Sequence, residues 1–183
     1  MFEQMADRRN VFVSYARADG ERVATTLRTR LEQTLPMFKF WQDRSEMVGG
    51  FPWWSQIAAA IDEARCVLLV MTPAAMQSDS VRNEWQYARA QGVYVCPIRD
   101  PDNEKLAEFF PHLPRWMGKR HFRDSVSEWD QLVKEVANPP TEPRVLFMSP
   151  EQPKHFIQRP AEFERLKNLL LDAATQGARS RSL

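Results

Sequence analysis

The apolar run at residues 66–73, CVLLVMTP, restricts the possible folds more than any other feature of the sequence. Every residue from Cys66 to Met71 is apolar, and Pro73 ends the run. A strand with one exposed face alternates apolar and polar residues, so an unbroken run indicates burial on both faces. Strands of this kind occur in parallel sheets that are covered by helices on both sides. We therefore expect an α/β fold.

Strand and helix patterns alternate along residues 10–137. Three further apolar runs have strand length, at residues 10–15, 37–41 and 93–98, and KRHF at residues 119–122 is a candidate for a short fifth strand. Helical spacing of apolar residues predicts four helices, over residues 19–34, 53–64, 79–91 and 125–137. Strands that alternate with helices through short links form right-handed βαβ units. The sequence therefore predicts a flavodoxin-like, five-stranded parallel sheet of order 2-1-3-4-5, flanked by helices.

Composition and charge argue against several classes of partner. The 25 basic and 24 acidic residues leave a net charge of +1, whereas proteins dedicated to nucleic acids or membrane surfaces usually have one dominant sign. The N-terminus lacks the apolar core of a secretory signal, and no run approaches the ~18 apolar residues of a membrane helix. We expect a cytoplasmic protein without a nucleic-acid or membrane partner.

The residues at the strand ends exclude the common ligands of this fold. The first strand is followed by SYARADGE, which is neither a dinucleotide-binding glycine motif nor a phosphate loop. The acidic residues of a phosphoacceptor site are missing from the ends of the first and third strands. One carboxylate remains, Glu84, in the second turn of the helix after the third strand. It borders the apolar stripe of that helix, and a solvated surface glutamate is the alternative interpretation.

The ordered set of motifs resembles the TIR domain, in particular its bacterial type. The matching segments are VFVSYA at 11–16, FWQDRSEMVGG at 40–50, CVLLVMTP at 66–73, VRNEWQYA at 81–88 and VYVCPIRD at 93–100. The resemblance covers about residues 9–137, so we expect a TIR domain at residues 1–137. Enzymatic members of the family cleave NAD+ into nicotinamide and ADP-ribose products, some of them cyclic, in immune-type signalling or antiphage defence.

The family's catalytic glutamate matches Glu84. Many members have a tryptophan four residues earlier, where this chain has Ser80. The resemblance leaves two functions open: an NAD+ glycohydrolase or cyclase that acts when it oligomerises, and a non-catalytic adaptor that recruits other TIR domains. It does not distinguish hydrolysis from cyclisation.

One carboxylate suffices for NAD+ cleavage on chemical grounds. Ordinary glycosidases need a second carboxyl group because their leaving group must be protonated. Nicotinamide in NAD+ is already cationic and departs neutral, so the site supplies negative charge beside the developing oxocarbenium ion. Glu84 fits this role. NAD+ is then the substrate, and neither a cofactor nor a metal is expected.

Other residues near the strand ends are candidates for substrate binding. We expect Ser14, Tyr15 and Arg17 to contact ribose or phosphate, with a core position as the alternative for Tyr15. The flat nicotinamide ring has three candidate neighbours, Phe40, Trp41 and Phe51, of which Phe40 fits core packing better. Asp43 is a candidate for orienting the pocket, with loop capping as its alternative. Ser80 completes the set of candidates.

The predicted loop at residues 42–52 matches the BB loop of the family, through which TIR domains self-associate. It carries apolar residues beside Gly49 and Gly50, and such residues favour a partner surface, with packing of Val48 and Phe51 back onto their own domain as the alternative. The expected partners are therefore NAD+ and other TIR domains.

Residues 138–183 have a different character. A proline-rich stretch precedes an amphipathic segment, HFIQRPAEFERLKNLLL, which resembles the opening segment of STAND or NLR-like ATPase modules. A plain amphipathic linker helix is the alternative interpretation. We expect a linker and helix that lead to a C-terminal module lying beyond this sequence.

Overall fold

The computed structural model describes residues 8–42, 52–100, 107–108 and 113–143. Its centre is a sheet of five parallel strands in the order β2-β1-β3-β4-β5. The strands are β1 (Asn10–Ser14), β2 (Lys39–Gln42), β3 (Ala64–Met71), β4 (Tyr94–Arg99) and β5 (Arg123–Asp124). The predicted strand order and parallel pairing are therefore confirmed.

In the described ranges, four helices lie between the strands and a fifth follows β5. They are α1 (Arg17–Thr34), α2 (Trp53–Glu63), α3 (Pro73–Gln77), α4 (Asp79–Ala90) and α5 (Trp129–Ala137). The helix α4 ends before Gly92, whose φ of 73° lies in the left-handed region that favours glycine. Within the described ranges, no helix combines the length and apolarity that crossing a bilayer requires.

The sheet divides the core into two halves. Because side chains alternate along a strand, Cys66, Leu68 and Val70 of β3 pack on the side of α1 and α5. The intervening Val67 and Leu69 pack on the side of α2 and α4. All eight residues of β3 are buried, as the apolar run predicted for Cys66 to Met71, although the strand begins two residues before that run, at Ala64. The thiols of Cys66 and Cys96 are free and buried.

Several predicted boundaries were wrong. The second strand begins at Lys39 instead of residue 37, and Met37 is 55% exposed. The fifth strand lies at Arg123–Asp124, not at residues 119–122, and it is too short to have a periodic pattern. The last helix begins at Trp129, four residues later than predicted, since residues 125–128 form turns. The short helix α3 was not predicted.

Asp124 connects β5 to the turn that precedes α5. Its Oδ1 accepts hydrogen bonds from the backbone amides of Val126 at 2.8 Å and Ser127 at 2.9 Å. The Arg99 guanidinium lies 3.1 Å from its Oδ2. These donors, with the Ser127 amide foremost, lower the pKa of the Asp124 carboxyl to about 2.

Replacing Asp124 by Asn is expected to make the free energy of unfolding less dependent on pH in the acidic range. The pKa is lowered in the folded state, so the charged carboxylate stabilises the fold above about pH 4, the unfolded value, and this contribution disappears as the pH falls towards 2. The difference in unfolding free energy between wild type and Asp124→Asn should be present at pH 7 and shrink between about pH 4 and pH 2. Urea titrations at each pH measure it. Asp130→Asn, at an exposed carboxylate of α5, is the control, and an equal pH response in both variants would contradict the prediction.

Candidate active site at the carboxyl ends of the strands

A cavity of about 380 Å³ opens at the carboxyl ends of β1 and β2. Ligands in open α/β sheets bind at this edge. The described wall consists of Phe12, Val13, Tyr15, Ala16, Arg17, Ala18, Trp41, Trp53, Ile57, Ala74, Ser78, Ser80, Val81 and Glu84. Its volume falls within the range of about 300–1,000 Å³ that is usual for small-molecule sites.

Glu84 is a buried carboxylate in the wall of this cavity. It shares the buried face of α4 with Val81, Trp85 and Ala88, and its residue exposure is 8%. A carboxylate in such a position requires a hydrogen-bond partner, because burying an unpaired charge is costly. Ser14 is one such partner: its Oγ donates to Glu84 Oε2 at 2.6 Å. The structure thus places Glu84 inside the apolar stripe that the sequence pattern placed beside it.

Ser14 meets Glu84 because of its position on β1. Val11 and Val13 face α1, so the alternation of the strand directs Phe12 and Ser14 towards the side of α4. Ser14 is 1% exposed and is absent from the described cavity wall.

Side-chain caps fix the helix starts that border the cavity. Ser78 Oγ accepts from the Val81 amide at 3.3 Å and caps α4. Thr72 caps α3 by accepting from the Ala75 amide at 3.2 Å. Asp19 of α1 accepts from the Thr72 hydroxyl and, at 2.9 Å, from the Ala74 amide. These contacts hold α1 and α3 together beside the site.

Aromatic rings line two sides of the cavity. Trp41 stacks on Phe12, with centroids 4.8 Å apart and planes inclined by 16°. Trp53, at the start of α2, is 45% exposed and packs edge-on against Trp54 at 5.8 Å. Trp54 in turn packs edge-on against Tyr87 of α4 at 5.9 Å. An exposed indole at a cavity wall is a surface on which a planar ligand ring can stack.

The titratable groups of the described cavity wall are Tyr15, Arg17 and Glu84. Arg17 supplies positive charge near the first strand end, and Glu84 supplies the negative charge. No group of three or more potential metal ligands occurs within the described part of the chain. The arrangement offers one anionic group, one cationic group and flat apolar surfaces to a ligand.

The structure brings together most of the residues selected from the sequence. Glu84, Tyr15, Arg17, Trp41 and Ser80 all line the cavity.

Four other residues complete the comparison between sequence and structure. Phe40 is 3% exposed and belongs to the core. Asp43 and Phe51 lie outside the described residues. The sequence analysis did not select Trp53, which also lines the cavity. Its position directly after the 42–52 segment, at the start of a predicted helix, could have identified it.

Comparison with known proteins identifies the family. The family model described as "TIR domain" matches residues 11–137. The TIR domain of the Toll-related receptor TRR-2 from Hydra magnipapillata has a TM-score of 0.56 at 20% identity, with coverage of 70% of this chain and 98% of the receptor domain. A metazoan TIR-STING receptor from C. gigas has a TM-score of 0.54 at 19% identity.

The match to the C. gigas receptor covers 72% of this chain and 41% of that protein. A search of curated protein sequences gave no match. At these identities the solved structures support the fold alone. Since the family model spans more than half of the sequence and the sheet order agrees with it, the chain belongs to the TIR domain family.

Proposed function

We propose that this chain is an NAD+ glycohydrolase or cyclase that uses Glu84 as its catalytic carboxylate. The observation that carries the proposal is the buried Glu84 side chain in the wall of a cavity of about 380 Å³ at the carboxyl edge of the sheet. A carboxylate in an apolar helix face lowers the stability of the fold, and destabilising groups of this kind are concentrated at functional sites.

The chemistry requires one anionic group. The bond between nicotinamide N1 and ribose C1′ breaks, its electron pair leaves with neutral nicotinamide, and C1′ acquires oxocarbenium character. The Glu84 carboxylate stabilises that positive charge. Attack of water on C1′, with loss of a proton, gives ADP-ribose, whereas attack by a nitrogen of the adenine ring gives a cyclic product. The same site serves both outcomes.

Other groups of the described wall complement NAD+. The Arg17 guanidinium suits the pyrophosphate, because charge-assisted hydrogen bonds to phosphate are strong. Trp41 and Trp53 offer ring faces to nicotinamide or adenine, and Trp53 is exposed enough to stack on a ligand without displacing a neighbour. Ser80 supplies a hydroxyl group for the ribose, whereas Tyr15 lines the wall with its hydroxyl buried. Neither a cofactor nor a metal has a role in this proposal.

A non-catalytic adaptor is the second candidate function. Ser80 favours it, because this position of the cavity wall carries a small hydroxyl where many enzymatic members have an indole. An adaptor would need no ionised carboxylate in a cavity, so Glu84 favours the enzyme. Release of nicotinamide from NAD+ by concentrated protein, followed by chromatography, distinguishes the two functions. Products that include ADP-ribose or its cyclic form support the enzyme, and intact NAD+ after prolonged incubation supports the adaptor.

Activity per molecule is expected to rise several-fold with protein concentration. We propose that the segment 42–52 contacts a different surface on a neighbouring copy, so that association is head-to-tail and open-ended. Phe51→Ala should then lower both assembly, measured by light scattering, and NAD+ cleavage. Met37→Ala is the matched control, because Met37 is an exposed apolar residue outside that segment. A concentration-independent activity from a persistent monomer would contradict this prediction.

We also propose that residues 138–183 link the domain to a STAND or NLR-like module in a cytoplasmic protein of bacterial immune type, with antiphage defence as its setting. The amphipathic segment HFIQRPAEFERLKNLLL supports this connection. The coding sequence downstream tests it directly: a phosphate loop of the form GxxxxGK[ST] within the next domain is expected, and any other following domain would refute it.

A further inference from the structure

We propose that Ser14 is a positioning residue for Glu84, one that holds the carboxylate ionised and in place, instead of a residue that contacts the ligand. This inference rests on the proposed function of Glu84. It assigns Ser14 a different role from its neighbours Tyr15 and Arg17, which lie in the described cavity wall.

Burial sets Ser14 apart from the residues of the described cavity wall. Its residue exposure is 1%, it is absent from the described wall, and its hydroxyl is engaged by Glu84 Oε2 at 2.6 Å. That distance is typical of a charge-assisted O–H···O⁻ hydrogen bond. The strand β1 lies between β2 and β3. Ser14 pairs with Leu69 of β3, and the preceding Val13 pairs with both neighbouring strands, so the strand end that carries Ser14 is held by the sheet.

The hydrogen bond has a chemical consequence for the reaction. Burial favours the neutral form of a carboxyl group, whereas a donor aimed at the carboxylate favours the charged form. Only the charged form stabilises the oxocarbenium ion, so the Ser14 hydroxyl maintains the state that the reaction needs. It also fixes the carboxylate, which reduces the reorganisation required at the moment of bond cleavage.

The acidic groups on the helices around Glu84 pair with other residues. In the described wall, Tyr15 and Arg17 are the remaining titratable side chains. On the adjoining helices, Asp19 of α1 accepts from Thr72, and Asp62 of α2 accepts from the Tyr87 hydroxyl at 3.0 Å. On α4 itself, Asp79 pairs with Arg82 at 2.9 Å and is exposed to solvent.

Ser14→Ala is expected to lower kcat for NAD+ cleavage by about 10- to 100-fold, with KM changed little, because the lost interaction acts on the transition state. The midpoint of the acid limb in the kcat–pH profile should lie about one pH unit higher than in wild type. Ser14→Thr keeps the hydroxyl and should restore most of the activity and the wild-type profile. Ser55→Ala is the control, since it removes an exposed hydroxyl that bonds to the Pro52 carbonyl at 2.7 Å.

Two outcomes in these kinetics would overturn the proposal. An unchanged kcat and acid limb in Ser14→Ala would show that Glu84 does not need the Ser14 hydroxyl. A raised KM with unchanged kcat would show that Ser14 contacts the ligand directly.

A second measurement does not depend on NAD+ as the substrate. The side-chain carboxyl carbon of Glu84, labelled with ¹³C and assigned by its absence in Glu84→Gln, is followed by NMR through a pH titration. Its midpoint should lie about one pH unit higher in folded Ser14→Ala than in wild type. A shifted midpoint in a protein that leaves NAD+ intact would support the role of Ser14 and refute the NAD+ proposal. Equal midpoints in wild type and variant would refute the role of Ser14.

Discussion

Replacing Glu84 by Gln is expected to reduce NAD+ cleavage by about 10²- to 10³-fold or more while the protein remains folded. Glutamine keeps the shape of the side chain, and its amide oxygen can still accept the Ser14 hydroxyl that lies 2.6 Å from Glu84 Oε2. What it loses is the negative charge beside the developing oxocarbenium ion. Nicotinamide release under conditions where wild type is active measures the effect, and circular dichroism with thermal unfolding checks the fold.

Asp79→Asn is the matched control for this experiment. Asp79 lies in the first turn of the same helix, its side chain is 85% exposed, and it is absent from the described cavity wall. Its replacement removes one negative charge from α4 without touching the cavity, so activity should stay within about twofold of wild type. Wild-type turnover in Glu84→Gln, or an equal loss in both variants, would show that Glu84 is not the catalytic group.

The sheet was predictable from the sequence because its central strand has a simple physical signature. An unbroken apolar run identified β3, all eight residues of which are buried, and the alternation with helices determined parallel pairing. The predictions failed for elements that are too short to show a periodic pattern of apolar residues. The strand β5 has two residues and α3 has five, so neither spans enough chain to show a period.

The candidate site was predictable in part for a related reason. Helical spacing placed Glu84 next to the apolar stripe of α4, and the strand ends identified Arg17 and Trp41. The contact between Ser14 and Glu84 joins residues 70 positions apart, so it depends on the register of β1 against β3 and on the docking of α4. Trp53 was missed because helix periodicity identifies buried positions, and this ring is largely exposed.

The segment after α5 contributes one residue, Glu142, to an ionic cluster that the sequence patterns did not predict. Glu142 lies in the predicted proline-rich linker, yet it is 6% exposed. Its carboxylate binds the Arg120 guanidinium and lies 3.6 Å from Arg89 Nε of α4. Both guanidinium groups also pack over the Trp116 ring, Arg89 at 4.0 Å and Arg120 at 5.1 Å. Burial lowers the pKa of Arg89, and the Glu142 carboxylate opposes that change.

Glu142→Ala is therefore expected to lower the free energy of unfolding by about 3 kcal/mol, because it leaves two partly buried cations without their shared anion. For a domain of this size the melting temperature should fall by about 10 °C. Glu32→Ala is the matched control: it breaks the exposed Arg28–Glu32 pair within α1, whose side chains are 33% and 42% exposed, and should cost less than about 1 kcal/mol. A chain that ends at Ala137 should lose as much stability as Glu142→Ala, since it lacks the same carboxylate. If Glu142→Ala has the same melting temperature as the Glu32→Ala control, residues 138–143 act as a linker and the folded unit ends with α5.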